Sequence, residues 1–171
     1  FMRESHRAMR EKNAMPWAFH EFWLNDMHFS RSDRASFFYA PETKDRCRYI
    51  FIPGCQMGAT DPQYVAKSYR LLREHMPDTA LLLDCCGAPA LWSGDAGLFD
   101  EICKDITDKW TKLGMPVFIF GCPTCRELMN EHIPKIKGKM IGDTFYELGV
   151  KAKDGKGMEI SVFDPCSARK L

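Results

Sequence analysis

No uncharged stretch in this 171-residue chain reaches about 18 residues, so nothing in it reads as a transmembrane helix. Charge of one sign is not in excess either. Lys and Arg total 24 against 23 Asp and Glu, net +1, so no global field draws the chain to nucleic acid or to an anionic membrane. Residues 1–13 are charge-rich and lack the apolar core of a secretory signal. Low-complexity segments and short internal repeats are missing. So are a Gly-rich phosphate loop, an HExxH pair and a serine-nucleophile motif, which removes the sequence signatures of phosphate-loop nucleotide binding, zinc proteolysis and serine hydrolysis. Residues 1–45 contain no cysteine.

What is present is an ordinary globular composition, 45% hydrophobic and 27% charged, in a chain sized for one domain plus an extension. The unusual feature is eight cysteines, at 47, 55, 85, 86, 103, 122, 125 and 166. That is too sparse for a disulfide scaffold and too many for chance core filling. With no secretory signal in view, the expected compartment is a reducing cytoplasm, where clustered cysteines point to metal or redox chemistry.

Residues 1–45 form an aromatic-rich extension: Trp17, Phe19, Phe22, Trp23, Met27 and Phe29 crowd one stretch, and Pro16 is placed to open a helix. Phe19, Phe22, Trp23 and Met27 would share a face that packs on its own domain, or else docks a missing domain or subunit. From residue 46 onward an alternating rhythm begins. Residues 49–52, 80–83, 117–120 and 158–163 read as strands. Thr60 or Asp61 caps a helix with Pro62 at its first position and an apolar stripe of Val65, Tyr69, Leu72 and Met76. Asp95 caps another, with stripe Phe99, Ile102, Ile106, Trp110 and Leu113. Residues 123–132 read as a helix and 141–148 as a short one. Alternating strands and helices imply parallel strands joined by right-handed crossovers. The expected architecture is therefore a three-layer α/β domain over 46–171, with a four-stranded parallel sheet of flavodoxin- or Rossmann-like order and an N-terminal helical extension.

Placed on that rhythm, Cys55 follows the first strand, Cys85 and Cys86 the second, Cys122 and Cys125 the third, and Cys166 the fourth. Parallel strands end on one rim, and open sheets bind ligands in the crevice beyond that rim. The five cysteines 55, 85, 86, 122 and 125, spaced C-x29-C-C-G-x34-C-x2-C, should therefore converge. Gly54, Gly87 and Gly121 flank them and allow sharp turns and close backbone approach. Cys122 and Cys125 bracket the first turn of a helix, where exposed N–H groups favour thiolate.

Structural zinc and a cubane iron–sulfur cluster are each satisfied by four ligands, so five thiols suit a larger or more open iron–sulfur cluster better. Two alternatives stay open. Cys122 and Cys125 alone, after a strand and before a helix, match the context of metal-free thioredoxin-like dithiol exchange. A structural zinc module is the other. Cys103 reads as a core residue, Cys47 as incidental, and Cys166 lies at the right rim. His75 and His132 read as helix-end residues, with His132 in reach of the site's surroundings. Asp84 reads as a bend-forming carboxylate that bonds backbone N–H groups, and Trp92 as a cover for the site or a core filler.

These motifs resemble the cysteine-rich CCG domain family, found in the B subunit of heterodisulfide reductase and in iron–sulfur subunits of glycolate and lactate oxidation systems. The segments that carry the resemblance are Pro53-Gly54-Cys55, Asp84-Cys85-Cys86-Gly87-Ala88-Pro89, Gly121-Cys122-Pro123-Thr124-Cys125 and Asp164-Pro165-Cys166-Ser167-Ala168-Arg169. The resemblance implies a noncubane [4Fe–4S] cluster on Cys55, Cys85, Cys86, Cys122 and Cys125, with zinc or an empty site as the expected product of an aerobic preparation. It implies an iron–sulfur redox module of a larger oxidoreductase, relaying electrons or reducing a disulfide, inactive alone. Implied partners are ferredoxin-like or flavoprotein domains or subunits and a second CCG module, whose first strand end the 164–169 segment resembles. Implied location is the cytoplasm, or a membrane surface reached through a partner subunit.

Overall fold

The computed structural model describes residues 2–14, 20–41, 47–151, 157, 159, 161 and 166–169. Two helices, α1 (Met2–Glu11) and α2 (Glu21–Arg31), lead into a short strand, β1 (Phe37–Tyr39). The alternating part follows as β2 (Tyr49–Ile52), α3 (Cys55–Thr60), α4 (Pro62–His75), β3 (Thr79–Leu83), α5 (Ala88–Trp92), α6 (Ala96–Lys112), β4 (Val117–Phe120), α7 (Pro123–His132), β5 (Gly138–Met140) and α8 (Ile141–Glu147).

The strands form one sheet in the order β1-β3-β2-β4-β5. Strands β2 to β5 are parallel, with Phe51 opposite Leu81 and Ile119, and Ile119 opposite Lys139. Strand β1 pairs antiparallel with β3, Phe37 opposite Leu83. The chain crosses from β2 to β3 on one side and then to β4 on the other, so the order reverses between β2 and β4. At such a switch point the loops leaving the strand ends splay apart and leave a crevice.

Sequence and local structure agree closely in the long helices. Asp61 accepts a hydrogen bond from the Gln63 N–H at 2.9 Å and Pro62 sits at the first helical position, so α4 starts where its cap dictates. Asp95 does the same for α6 through the Leu98 N–H at 3.1 Å. The stripes bury as their spacing requires. Val65 and Leu72 pack with Phe51, Leu81 and Ile119 on one face of the sheet, joined by Ile141 and Phe145 of α8. Phe99, Ile102, Ile106 and Trp110 pack on the other face with Ile50, Ile52, Leu82, Phe118 and Phe120, together with Leu128 and Met129 of α7. The Trp110 indole N–H donates to the Pro116 carbonyl at 2.9 Å, which ties the end of α6 to the start of β4.

Three expectations need correction. The sheet has five strands among the described residues, not four. Its fourth parallel strand is β5; most of the strand expected over 158–163 lies outside the described residues. Gly138-Lys139-Met140 has no β-branched or aromatic residue, and its place is set by the neighbouring strand. A Cβ at Gly138 would stand 2.8 Å from the Phe118 carbonyl oxygen, so only glycine lets the backbones approach. Finally, the expected aromatic face of the extension is split. Met27 is fully buried in the main core, but Phe22 and Trp23 are 68% and 47% exposed. Pro16, Trp17 and Phe19 lie outside the described residues.

Candidate functional site

The C-terminal ends of β2, β3 and β4 lie side by side, and each is followed at once by a turn and a helix start. After β2, Gly54 adopts φ +78° and α3 opens on Cys55. After β3 the chain bends through Asp84, Cys85 and Cys86, Gly87 takes φ +83°, and α5 begins. After β4, the Gly121 N–H donates to the Ile52 carbonyl at 2.8 Å, extending the ladder one step, and Cys122 precedes the first turn of α7. The glycines let these three turns come together. A Cβ on Gly54 would stand 2.7 Å from Cys122 Cβ and 3.5 Å from Cys125 Sγ. A Cβ on Gly121 would stand 2.6 Å from the Pro53 carbonyl oxygen.

The five thiols form a linked series across this rim. Cys55, Cys85, Cys86, Cys125 and Cys122 are electrostatic neighbours in that order, each shifting the titration of the next. Cys55 and Cys122 feel one another's charge, and Gly54, the residue before Cys55, abuts Cys122. Cys85, Cys86 and Cys125 are buried, Cys122 is half-buried and Cys55 is exposed. The rim is thus closed below and open above. Among the described residues, no group of three or more His, Cys, Asp and Glu side chains is gathered so as to hold a metal ion. The sulfurs form a series of adjacent pairs and not a cage about one point.

Proton positions along the series follow from who donates. Donation to Cys85 and burial push the Cys55 thiol far up. At Cys85 the bond from Cys55 favours thiolate, but donation to Cys86, burial and the Cys86 charge outweigh it and raise the group to about 12. Cys86 accepts from Cys125 and Cys85 and from the Ala88 N–H; these bonds overcome burial and hold it well below an ordinary thiol. Cys125, donor to both Cys122 and Cys86, is pushed well up. Cys122 accepts from Cys125, then from the Cys125 and Thr124 N–H groups of the α7 start; burial opposes, and the balance lowers it to about 6. Cys55, Cys85 and Cys125 are therefore raised, whereas Cys86 and Cys122 are lowered toward the thiolate. A set of soft sulfur donors already partly deprotonated is the kind that binds thiophilic metals.

Behind the rim stands an ion network that local sequence does not announce. Asp84, its carboxylate only 4% exposed, accepts from the Cys85 N–H at 2.8 Å. It also accepts from Arg31 and from Lys109, both at 2.9 Å. Arg31 reaches on to the Cys85 carbonyl at 3.1 Å and to Asp105 at 2.7 Å. The expected backbone-bonding role of Asp84 is therefore seen, and two cations offset the charge it places beside the thiols. Arg31 comes from α2 and Lys109 from α6, positions with no motif about them; only the fold brings them here.

The remaining residues divide as follows. Cys103 is half-buried against the main core, and Cys47 is buried at the opposite ends of the strands. Cys166 is exposed, and Thr124 Oγ1 donates to its neighbour Ser167 Oγ at 3.3 Å, so the 166–169 turn touches the α7 start. His132 rests edge-on against Phe99, and His75 bonds the Leu71 carbonyl at 3.1 Å. Trp92 is 47% exposed, so it does not fill the core.

An open α/β sheet with a thiol-rich centre at its switch point defines the class: a cysteine-rich domain suited to a metal or cluster. The comparison with known families is more specific. Residues 49–130 match the family model described as CCG, cysteine-rich domain, so that stretch belongs to the CCG family, which is associated with iron–sulfur and redox proteins. No curated protein and no solved structure matches the chain. Among the described residues no helix is long and apolar enough to cross a membrane.

Proposed function

We propose that Cys55, Cys85, Cys86, Cys122 and Cys125 hold a noncubane [4Fe–4S] cluster, and that the domain is the iron–sulfur redox module of a larger oxidoreductase of the heterodisulfide reductase kind. The observation that carries this reading is the meeting of five thiols from three strand ends in one linked series. Their number exceeds what one zinc ion takes, and their spread over several adjacent pairs suits a group with more than one metal atom. When bound, such a cluster supplies one-electron transfer and an iron able to bind a sulfur ligand. The chain supplies the rest. Cys86 and Cys122 are lowered toward the thiolate, and the N–H groups of Gln56, Gly87, Ala88, Thr124 and Cys125 stabilise negative charge on the sulfurs. The apolar core below excludes water from Cys85, Cys86 and Cys125, and Cys55 leaves one edge open.

The same reading takes the scaffold as three-layered and flavodoxin-like, with an extension over 1–45 and the cysteine-rich domain over 46–171. The contacts of Met27, Arg31 and β1 with the sheet support treating the extension as part of the folding unit. Ferredoxin-like or flavoprotein partners, a second CCG module that accounts for Cys166, and a cytoplasmic setting belong to this proposal as well.

A second reading is favoured by one observation. Cys122, lowered to about 6 and hydrogen-bonded to Cys125 at a helix start, is what a metal-free dithiol exchanger needs. Anaerobic purification, reconstitution, and iron and sulfide quantitation separate the two. The cluster reading expects about four irons per chain and a brown colour bleached by reductant. A colourless, iron-free protein with Cys122 fast-alkylating would replace it with dithiol exchange. A colourless protein holding one zinc would replace it with a structural module.

A further inference from the structure

Beside the thiol rim lies a cavity of about 640 Å³, within the range of small-molecule sites. Its floor is Val65, Leu81 and Leu83, and its mouth carries the partly exposed aromatic rings of Trp23, Phe29 and Phe37. Cys55, the exposed thiol of the series, and buried Cys85 form part of its wall. The charge of the lining is one-sided. Among the described residues it includes two carboxylates, Asp26 and Asp84, and no Lys, Arg or His. Asp84 is already bonded by Arg31, Lys109 and the Cys85 N–H, and neither cation lines the cavity. A second cavity, about 500 Å³, lies at the opposite ends of the strands around Cys47 and Asp78, away from the five thiols.

We propose that this cavity is the binding site for an uncharged, predominantly apolar aromatic small molecule, which it holds against the Cys55–Cys85 edge. This names the substrate class of the site and rests on the reading above for the thiol edge as the reacting group; the cavity itself exists without a cluster. The chemistry of the lining decides the class. A carboxylate, sulfonate or phosphate entering here would give up hydration with no cation to replace it and would face Asp26 at the mouth. A flat apolar molecule would cover the three exposed rings and displace weakly held water from aliphatic walls, the favourable case for burial. Asp26 is exposed and solvated, so it repels anions without offering a desolvated partner to a cation.

The test uses the whole 171-residue chain, cluster-loaded and cluster-free, under anaerobic reducing conditions. N-phenyl-1-naphthylamine, a neutral fluorescent probe, is titrated against its sulfonated anionic analogue, anilinonaphthalene sulfonate. The expected result is saturable one-to-one binding of the neutral probe, at least about tenfold tighter than the anion. Ala59→Trp, which fills the cavity from an exposed position, should abolish binding, and Trp23→Ala should weaken it. Absence of saturable binding in folded protein overturns the proposal, as does tighter binding of the anion or binding indifferent to both variants. Iron content measured on the same samples keeps the two readings apart: iron-free protein that binds the probe sinks the cluster and keeps the cavity, and iron-loaded protein that does not bind it does the reverse.

Discussion

Replacing Arg31 by Met tests whether the ion network behind the thiols holds the site and the extension together. The guanidinium makes three contacts: Asp84 at 2.9 Å, the Cys85 carbonyl at 3.1 Å and Asp105 at 2.7 Å. Asp84 is 4% exposed and Arg31 18%, whereas Lys109 and Asp105 are 40% and 41% exposed. Stranding a buried carboxylate altogether costs about 3–5 kcal/mol, and an exposed pair contributes about 0–1. Lys109 remains on Asp84 in the variant, so the loss should fall at or below the lower bound of the buried case, about 2–3 kcal/mol. For a chain of this size that is a fall in Tm of about 5–10 °C. Lys109→Met, at the wet end of the network, should cost about 1 kcal/mol or less. Arg31→Lys should recover little, because one ammonium cannot span two carboxylates and a carbonyl at these positions. Urea and thermal unfolding of cluster-free, reduced protein read all three. Arg31→Met within about 0.5 kcal/mol of the parent, or Lys109→Met costing more than Arg31→Met, would refute the reasoning.

Gly54→Ala should destabilise by about 2 kcal/mol, since its backbone is left-handed and a Cβ would stand 2.7 Å from Cys122 Cβ, and it should lower iron uptake on reconstitution. Gly149→Ala, left-handed but with open space around it, is the control that should keep uptake unchanged. Alkylation of Cys122 in cluster-free protein, followed by mass spectrometry, should rise with a midpoint near pH 6. Because that group is lowered from 9.0, its contribution to stability is full above about pH 9 and lost as pH falls through about 6; Cys85, raised to about 12, removes stability as pH rises from about 9. Stability measured by unfolding against pH should therefore fall on both sides of about pH 9 as far as these two thiols act. Asp61→Ala should cost about 1 kcal/mol through the lost cap of α4, with no effect on thiol reactivity.

Residue order alone was enough for the elements that carry their own punctuation and periodicity. Caps at Asp61 and Asp95, prolines at 62 and 123 and stripes such as Phe99-Ile102-Ile106-Trp110 encode helix starts and faces within a few residues of chain. From those elements the parallel direction of β2, β3 and β4 follows, and with it the meeting of Cys55, Cys85, Cys86, Cys122 and Cys125. Other features became visible only in three dimensions. Strand β5 exists because Phe118 and Phe120 present an edge to which a glycine-led segment with no strand pattern can pair; β1, three aromatics in a row, has strand propensity but is too short to announce itself, and it forms on the side that β3 left unpaired. The division of the aromatic extension, Met27 inward and Phe22 and Trp23 outward, depends on where α2 lands. Arg31 and Lys109 meet Asp84 across 53 and 25 residues of chain. Local sequence specifies local geometry, but charge pairing and cavity shape depend on which surfaces meet, and that is settled only when the whole sheet is packed.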